Sequence, residues 1–463
     1  MKILPACFAA LLLACITNSS PADDAAIGWH SVDGIVQRIG TPQFPDREFN
    51  VVDFGAKGDG TTNSQPAIRD AIEACHQAGG GRVLVPAGDY RVDGPVRLKS
   101  NVNLHLEADC TLRFSTRASD YLPVVFTRFE GTELMNYSPL VYAFEETNIA
   151  ITGAGVIDGQ AGHDNWWKWK GAWDGTPDIG WKEGDPDQTS AIDILRSQAD
   201  KNVPAEQRVY GEGSLLRSSF VQPYRCKNVL IEGITVRNSP MWCVHPVLCE
   251  NVVVRGVTVD SHGPNNDGCN PESCRYVLIE DCTFDTGDDC IAIKSGRNTD
   301  GRRLNRPSEY YVIRNCTMRD GHGGVVLGSE MSGGVRNIFV EDCQMDSPNL
   351  ERAIRLKSNS NRGGYLENLF VRNVTVGQVS DAVLRVNLYY AHETGDYPPT
   401  VRNIYIENLT SQKSRYAFYF RGLKEHPIES ITIRNCTFAG AEKPSVIEHV
   451  QQLTMENVTF PLE

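Results

Sequence analysis

Two aspartates stand side by side in "TGDDCIAIKSG", residues 286 to 296, at the mouth of an apolar stretch. Each charge raises the proton affinity of the other, so Asp288 and Asp289 suit a site where one carboxyl keeps its proton while its neighbour stays ionised. Other residues of catalytic type follow at intervals of about one repeat: Asp267 in "GPNNDGCNP", His322 between two glycines, and Arg355 and Lys357 flanking Leu356. Aligning Ile293-Lys294-Ser295 with Leu327-Gly328-Ser329 and Leu356-Lys357-Ser358 puts Asp289 level with Gly323 and Arg352, Asp288 with His322, and Arg355 with Val326 and Ala292. Matching Cys269 to Cys290 places Asp267 level with Asp288. Equivalent residues on neighbouring strands lie about 4.8 Å apart, so these side chains are expected to converge on one face. For both Asp288 and Asp289 to reach that face, the chain must bend there, and Gly287 permits a bend.

Singly, each feature has an ordinary reading. A carboxylate pair often solvates or caps a turn, a glycine-flanked histidine often marks a tight turn, and a lysine on a strand keeps an edge soluble. Their coincidence on one face is what points to a site. Three carboxylates in mutual reach either hold a cation such as calcium or divide acid and base work. The nearby His322, Arg355 and Lys357 compete with a metal and favour an anionic substrate. Lys294, Arg297, Arg302, Arg303, Arg306, Arg352 and Arg362 make this segment locally basic in a chain of net charge −13. No metal or other cofactor is expected.

The elements that must position these residues are repeats. Strings such as "NVLIEGITV" from Asn228, "NVVVRGVTV" from Asn251 and "NLFVRNVTV" from Asn368 share one aliphatic anchor. It falls at Ile231, Val254, Ile279, Ile313, Val340, Val371, Ile406, Ile433 and Met455, with weaker copies near Asn101 and Asn148. Spacings of about 22 to 35 residues belong to solenoids. Each unit alternates β-branched residues and ends in a turn rich in Asn, Asp and Gly, without a convincing helix, so stacked parallel strands are expected. Cysteine alternates with aliphatics three residues after the anchor, at Cys282, Cys316, Cys343 and Cys436, which reads as small buried hydrophobes rather than disulfides. Near the start, "TTNSQPAIRDAIEACHQAGGG" spaces Ala67, Ile68, Ala71, Ile72 and Cys75 as one amphipathic helix, suited to capping the stack. Around residues 160–220 the pattern lapses into an insertion carrying five of the seven tryptophans.

Charge this negative offers no general attraction for nucleic acid or anionic lipid. The opening "MKILPACFAALLLACITNSS" has a short apolar run too brief to span a bilayer and reads as an export signal. Its "LLAC" end resembles a bacterial lipoprotein signal, which implies lipidation at Cys15, residues 1–15 as signal peptide and residues 16–45 as linker; ordinary cleavage nearby is the alternative. The expected location is the periplasm or the outer membrane, reached through that anchor, and the expected state is a monomer.

The motifs Asn265-Asn266-Asp267, Asp288-Asp289, Gly321-His322-Gly323 and Arg355-Leu356-Lys357, in this order, resemble those of glycoside hydrolase family 28, the polygalacturonases. The likeness extends over residues 46–463, including "FNVVDFGAKGDGTTNSQPAI". It implies an all-β, single-stranded, right-handed parallel β-helix of the pectin-lyase-like type, with an N-terminal capping helix. It implies hydrolysis of α-1,4-galacturonosyl linkages with inversion. Asp288 would be the general acid, Asp267 and Asp289 would activate water, and His322 would support the acid. Arg355, Lys357, Lys294, Asn265 and Tyr389 would contact substrate, a pectic polysaccharide or oligogalacturonide. The tryptophan-rich insertion and "GSEMSGGVRNI" resemble exo-acting bacterial members. A rhamnogalacturonan hydrolase, a calcium-dependent pectate lyase and a non-catalytic glycan-binding solenoid are the alternatives.

Overall fold

Alternating aliphatic and polar residues favour strands with one dry face, and repeating them every coil lets each dry face stack on the next. In the computed structural model, which describes residues 27–173 and 178–460, thirty strands hydrogen-bond into one stack. A single inward column runs through it: Val83, Leu104, Ile151, Ile231, Val254, Ile279, Ile313, Val340, Val371, Ile406, Ile433 and Met455 pair rung to rung in parallel. The anchors expected from sequence therefore form one column of a parallel β-helix, buried from Ile231 to Ile433 and exposed at Met455 on the last described coil. Among the described residues the twelve cysteines are all unbridged and buried.

The asparagine that opens many units has its own physical cause. Asn101, Asn148, Asn228 and Asn251 all adopt a positive φ, which asparagine tolerates better than most residues. Their side-chain amides also stack, each Nδ2 donating to the Oδ1 of the coil before, at 3.1, 2.8 and 3.1 Å. Asn337, Asn368 and Asn403 continue the device at 2.9 and 3.0 Å.

Helix α1 (Val32–Arg38) corrects the linker reading for residues 27–45, the described part of 16–45. Val32, Ile35 and Ile39 pack with Trp29 over an outward apolar column that includes Leu230, Val253, Leu278, Val312 and Phe339. Those outward positions are too apolar to face water, and a short i, i+3, i+7 stripe covers them. Helix α2 (Gln65–Gln77) buries Ala67, Ile68, Ala71, Ile72 and Cys75 on the first coils, at the end it was expected to cap. Helix α3 (Thr189–Asp200) lies in the insertion, and helix α4 (Asn298–Leu304) sits in a loop between strands where no helix was expected. The only antiparallel pair among the described strands is a hairpin, Val125–Phe129 with Thr132–Asn136, on the insertion's side of the stack. No described helix is long and apolar enough to cross a membrane. Cys15 lies outside the described residues.

Candidate active site

Strands Ile291–Ile293, Val325–Gly328, Arg352–Lys357 and Ala382–Asn387 form the floor of a groove. Ala292, Val326, Arg355 and Arg385 share one rung column, and Gly328, Lys357 and Asn387 another. Ile354 and Leu356 turn inward to the core, so Arg355 and Lys357 must turn outward together. Asp288 and Asp289 lie in the bend that precedes this floor. Gly287 is required there for closeness: a Cβ would lie 2.5 Å from the Gly263 carbonyl oxygen and 2.6 Å from the His262 carbonyl carbon.

One register differs from the sequence alignment. Cys269 pairs with Ile291, not Cys290, and Glu272 with Lys294. Asp267 is therefore level with Asp289. The two cysteines look equivalent because both are buried, but hydrogen bonding defines the rung, and residue type alone slipped it by one.

The three aspartates converge, with one oxygen from each within 4.8 Å of the others. Asp289 is fully buried and held by Lys357 Nζ at 2.5 Å and Arg355 Nη1 at 3.2 Å. Asp288 Oδ1 accepts from His322 Nδ1 at 3.0 Å and from the Asp289 backbone N–H at 2.9 Å. Asp267 Oδ2 accepts from Asn270 Nδ2 at 2.7 Å and faces Lys294 Nζ at 3.6 Å. Lys294 also meets Glu330 at 3.1 Å and sits 4.5 Å above the Trp242 ring.

Protonation follows from these contacts. Burial, then the charge of Asp288, pushes Asp267 up to about 8, with Lys294 only partly offsetting them. Burial also acts against an ionised Asp288, but the His322 imidazolium, Lys357 and Lys294 outweigh it and hold this carboxyl well below the usual range. The Asp288 charge raises His322 to about 9 against its own burial. Burial disfavours charge on Lys294, yet Glu330 and Asp267 keep its pKa above the usual lysine value. In the free site one proton therefore rests on Asp267 and another on His322, against an ionised Asp288.

Arg217, 1 % exposed, buttresses the turn before Asp267. It donates to the carbonyls of Pro264 at 2.7 Å and Pro240 at 3.1 Å, and to Asn265 Oδ1 at 2.7 Å. Burial pulls its pKa down to about 10, with Glu130 and Asp288 pulling the other way, so it remains a cation behind the carboxylates. Asn266 locks the same turn, donating to the carbonyls of Ser239 and Met241 at 3.1 Å each. The insertion presses on it too: a Cβ on Gly263 would lie 2.2 Å from the Trp167 ring, and Trp173 stacks on His322 with centroids 6.4 Å apart.

The groove has two lobes. One, a cavity of about 340 Å³, contains Asn265, Asp267, Asp288, Lys294 and Trp242. Its walls include Glu130 of the hairpin, and Lys170 and Arg196 of the insertion. The second, of about 560 Å³, continues over later coils; Lys357, Tyr390 and Ala391 line both. Arg355 and Lys357 face the Tyr390 ring at 5.6 and 5.2 Å, whereas Tyr389 lines only the second lobe. Of the other basic residues, Arg297 and Arg362 line the first lobe, where both pair with Glu393. Arg303 is spent on Glu133 at 2.7 Å, Arg302 on the Tyr397 ring at 3.6 Å and Arg352 on Asp381 at 2.7 Å, while Arg306 is exposed. Trp242, Glu330, Arg217 and Glu393 were not singled out from sequence. Only Glu330, next to the small residues of "GSEMSGG", carried a local signal.

A parallel β-helix with clustered carboxyls on the floor of a cationic groove defines a solenoid glycoside hydrolase. Residues 213–458 match glycosyl hydrolases family 28, and the chain belongs to that family. Residues 48–111 match a rhamnogalacturonase A/epimerase, pectate-lyase-like family. A hyperthermoactive exopolygalacturonase of Thermotoga maritima is 49% identical, with TM-score 0.90 over 93% of this chain and 95% of that one. An exo-poly-alpha-D-galacturonosidase of Dickeya chrysanthemi is 28% identical over 438 residues, 89% of this chain and 70% of that protein. A family 28 exopolygalacturonase of Yersinia enterocolitica shares the fold at 24% identity and TM-score 0.70, covering 90% of this chain and 77% of that one.

Proposed function

We propose that this protein is a polygalacturonase that hydrolyses α-1,4-galacturonosyl linkages and releases units from a chain end. The observation that carries the reading is the aspartate cluster set against Arg355, Lys357 and Lys294, with Asp267 and Asp288 lining a lobe walled by the insertion. A cavity of about 340 Å³ is at the small end of ligand sites and suits a chain terminus.

Asp289, paired with both Arg355 and Lys357, is the base that takes a proton from water. Asp288 rests ionised against His322, and the proton held by that imidazolium passes through Asp288 to the glycosidic oxygen. This reading departs from the family-based roles at Asp267: raised to about 8, it starts as a neutral acid and restores the proton of Asp288. A raised acid beside a base paired with two cations is the division that general acid–base catalysis needs. The nearest oxygens lie closer than the roughly 6.5 to 9.5 Å between carboxyls of inverting enzymes. Inversion is therefore carried by the family alone. Cationic density along the groove favours a chain with a carboxylate on every unit over one alternating with neutral sugar, and fixed cations at 2.5 to 3.6 Å from Asp267 and Asp289 disfavour calcium chemistry. Export with lipidation at Cys15 remains part of the proposal; palmitate labelling that survives Cys15→Ser would remove it.

The test is digestion of polygalacturonate and defined oligogalacturonates with a chelator present, followed by chromatography, absorbance near 235 nm as the marker of elimination, and proton NMR of the new anomer. Saturated monomer from the outset, released as the inverted anomer, is the expected result. Intermediate oligomers appearing early would sink exo action, and unsaturated products would sink hydrolysis.

A further inference from the structure

Beyond Lys357 the groove keeps its charge. In the second lobe Arg385 and Tyr419 extend the column of Arg355, while Asn387 and Arg421 extend that of Lys357. The alternating residues Leu384, Val386, Phe418 and Phe420 are core, so the register forces both arginines outward. Arg355, Lys357, Arg385 and Arg421 line this lobe, and none of the described residues lining it is a carboxylate. The carboxylates that meet the two later arginines do so from outside the lobe. Asp381 pairs with Arg385, and Glu448 with Arg421 at 2.7 Å, a pair 35% and 47% exposed. So open an ion pair contributes little and leaves the Arg421 guanidinium available, whereas the Arg385–Asp381 pair is more enclosed, at 18% and 14% exposed, with Asp381 shared with Arg352. Each arginine is also oriented by a tyrosine: Arg385 lies 4.2 Å over Tyr419, and Arg421 lies 4.9 Å over Tyr389.

We propose that this lobe is a binding tract for the acidic sugar units on the far side of the scissile bond, with Arg385 and Arg421 each taking one carboxylate. The tract deepens the polygalacturonase reading and rests on it for the identity of the sugar. Coils about 4.8 Å apart present cations in series, as a polymer with one carboxylate per unit requires. A planar guanidinium matches a carboxylate with two parallel hydrogen bonds, and tyrosine rings give sugar faces an apolar wall. An enzyme that cuts at a chain end would thereby grip the polymer it leaves behind. Asp288, which lines the first lobe, and Asp289 behind it do the chemistry, and the tract sets how tightly long chains are held.

The experiment compares Arg385→Gln and Arg421→Gln with the wild-type chain on di-, tri- and tetragalacturonate and polygalacturonate, reading kcat and KM separately. The expected loss lies in KM and grows with length, about tenfold larger for the tetramer than for the dimer, and it shrinks as salt rises. Equal losses at every length, or none, would overturn the tract. Tetragalacturonate binding by calorimetry to Asp288→Asn, with and without Arg421→Gln, separates the two proposals. Arginine-dependent binding, together with a wild-type chain that shows no hydrolytic turnover, would support the tract and count against hydrolysis. Normal release of monomer with arginine-independent binding would overturn the tract alone.

Discussion

Two columns of charge run along this β-helix, and they are built in opposite ways. On the outer side, Glu232, Arg255, Glu280, Arg314, Glu341, Arg372, Glu407, Arg434 and Glu456 occupy successive rungs of one register, alternating in sign throughout. Arg255 meets Glu280 at 2.5 Å, Arg314 meets Glu280 at 2.7 Å, and Arg372 meets Glu341 at 2.6 Å. At the site, by contrast, Asp267, Asp288 and Asp289 crowd together, and their cations stand around them rather than between them. The effect on protons differs accordingly. Burial works against an ionised Glu280, but Arg255 and Arg314 outweigh it and lower its pKa, whereas Asp267 is raised to about 8. Alternating charge stabilises the fold, and crowded like charge holds a proton ready at a cost in stability.

The sharpest break between the columns is catalytic. Asp288→Asn or Asp289→Asn should lower kcat by about a thousandfold or more, within the range of lost acid or base catalysis, with circular dichroism unchanged. Glu280→Gln should leave kcat where it was. Activity of the Asp288 variant within tenfold of wild type would remove Asp288 from the acid role.

A second test uses pH. Asp267 and His322 are raised to about 8 and about 9, so kcat/KM should fall roughly tenfold per unit above the first value and more steeply above the second, as the protons are lost in turn. His322→Asn should move that alkaline limb to lower pH, because the imidazolium no longer helps to retain the proton. An unmoved limb would mean that His322 has no part in proton retention.

Stability sharpens the contrast more gently. The raised Asp267 contributes stability that is fully present below the unfolded-state value of about 3.9 and is lost as pH rises through about 8. Asp267→Asn should lack that slope, so the melting temperatures of variant and wild type should diverge in the variant's favour between pH 4 and 8. The lowered Glu280 has the opposite sign: its contribution is present above the unfolded value and is lost as pH falls through the folded one. Glu280→Gln should cost about 1 kcal/mol at neutral pH and nothing under acid conditions, measured by denaturant unfolding.

Much of this arrangement is readable in the sequence. The β-branched anchors repeat because every coil must fill the same core position, and Arg355 and Lys357 share a face because side chains on a strand alternate. The site motifs were readable because they lie within single short segments. Arg217 was not, since its partners Pro240, Pro264 and Asn265 come from other coils and nothing near position 217 marks it. Trp242 and Glu393 were hidden in the same way. Helix α1 was missed because three apolar residues are a weak signal until the face they cover is known.

Local pattern thus decided the solenoid, its core column and the kinds of group at the site, because those depend on periodicity within a coil. Tertiary structure decided which aspartate holds the proton, since that depends on burial and on charges arriving from four coils. It also decided the rung of Asp267, the walling of one lobe by the insertion, and the continuation of the cationic groove past Lys357. Each of these is a distance between residues far apart in the chain, and hydrogen-bond register and packing set such distances where composition cannot.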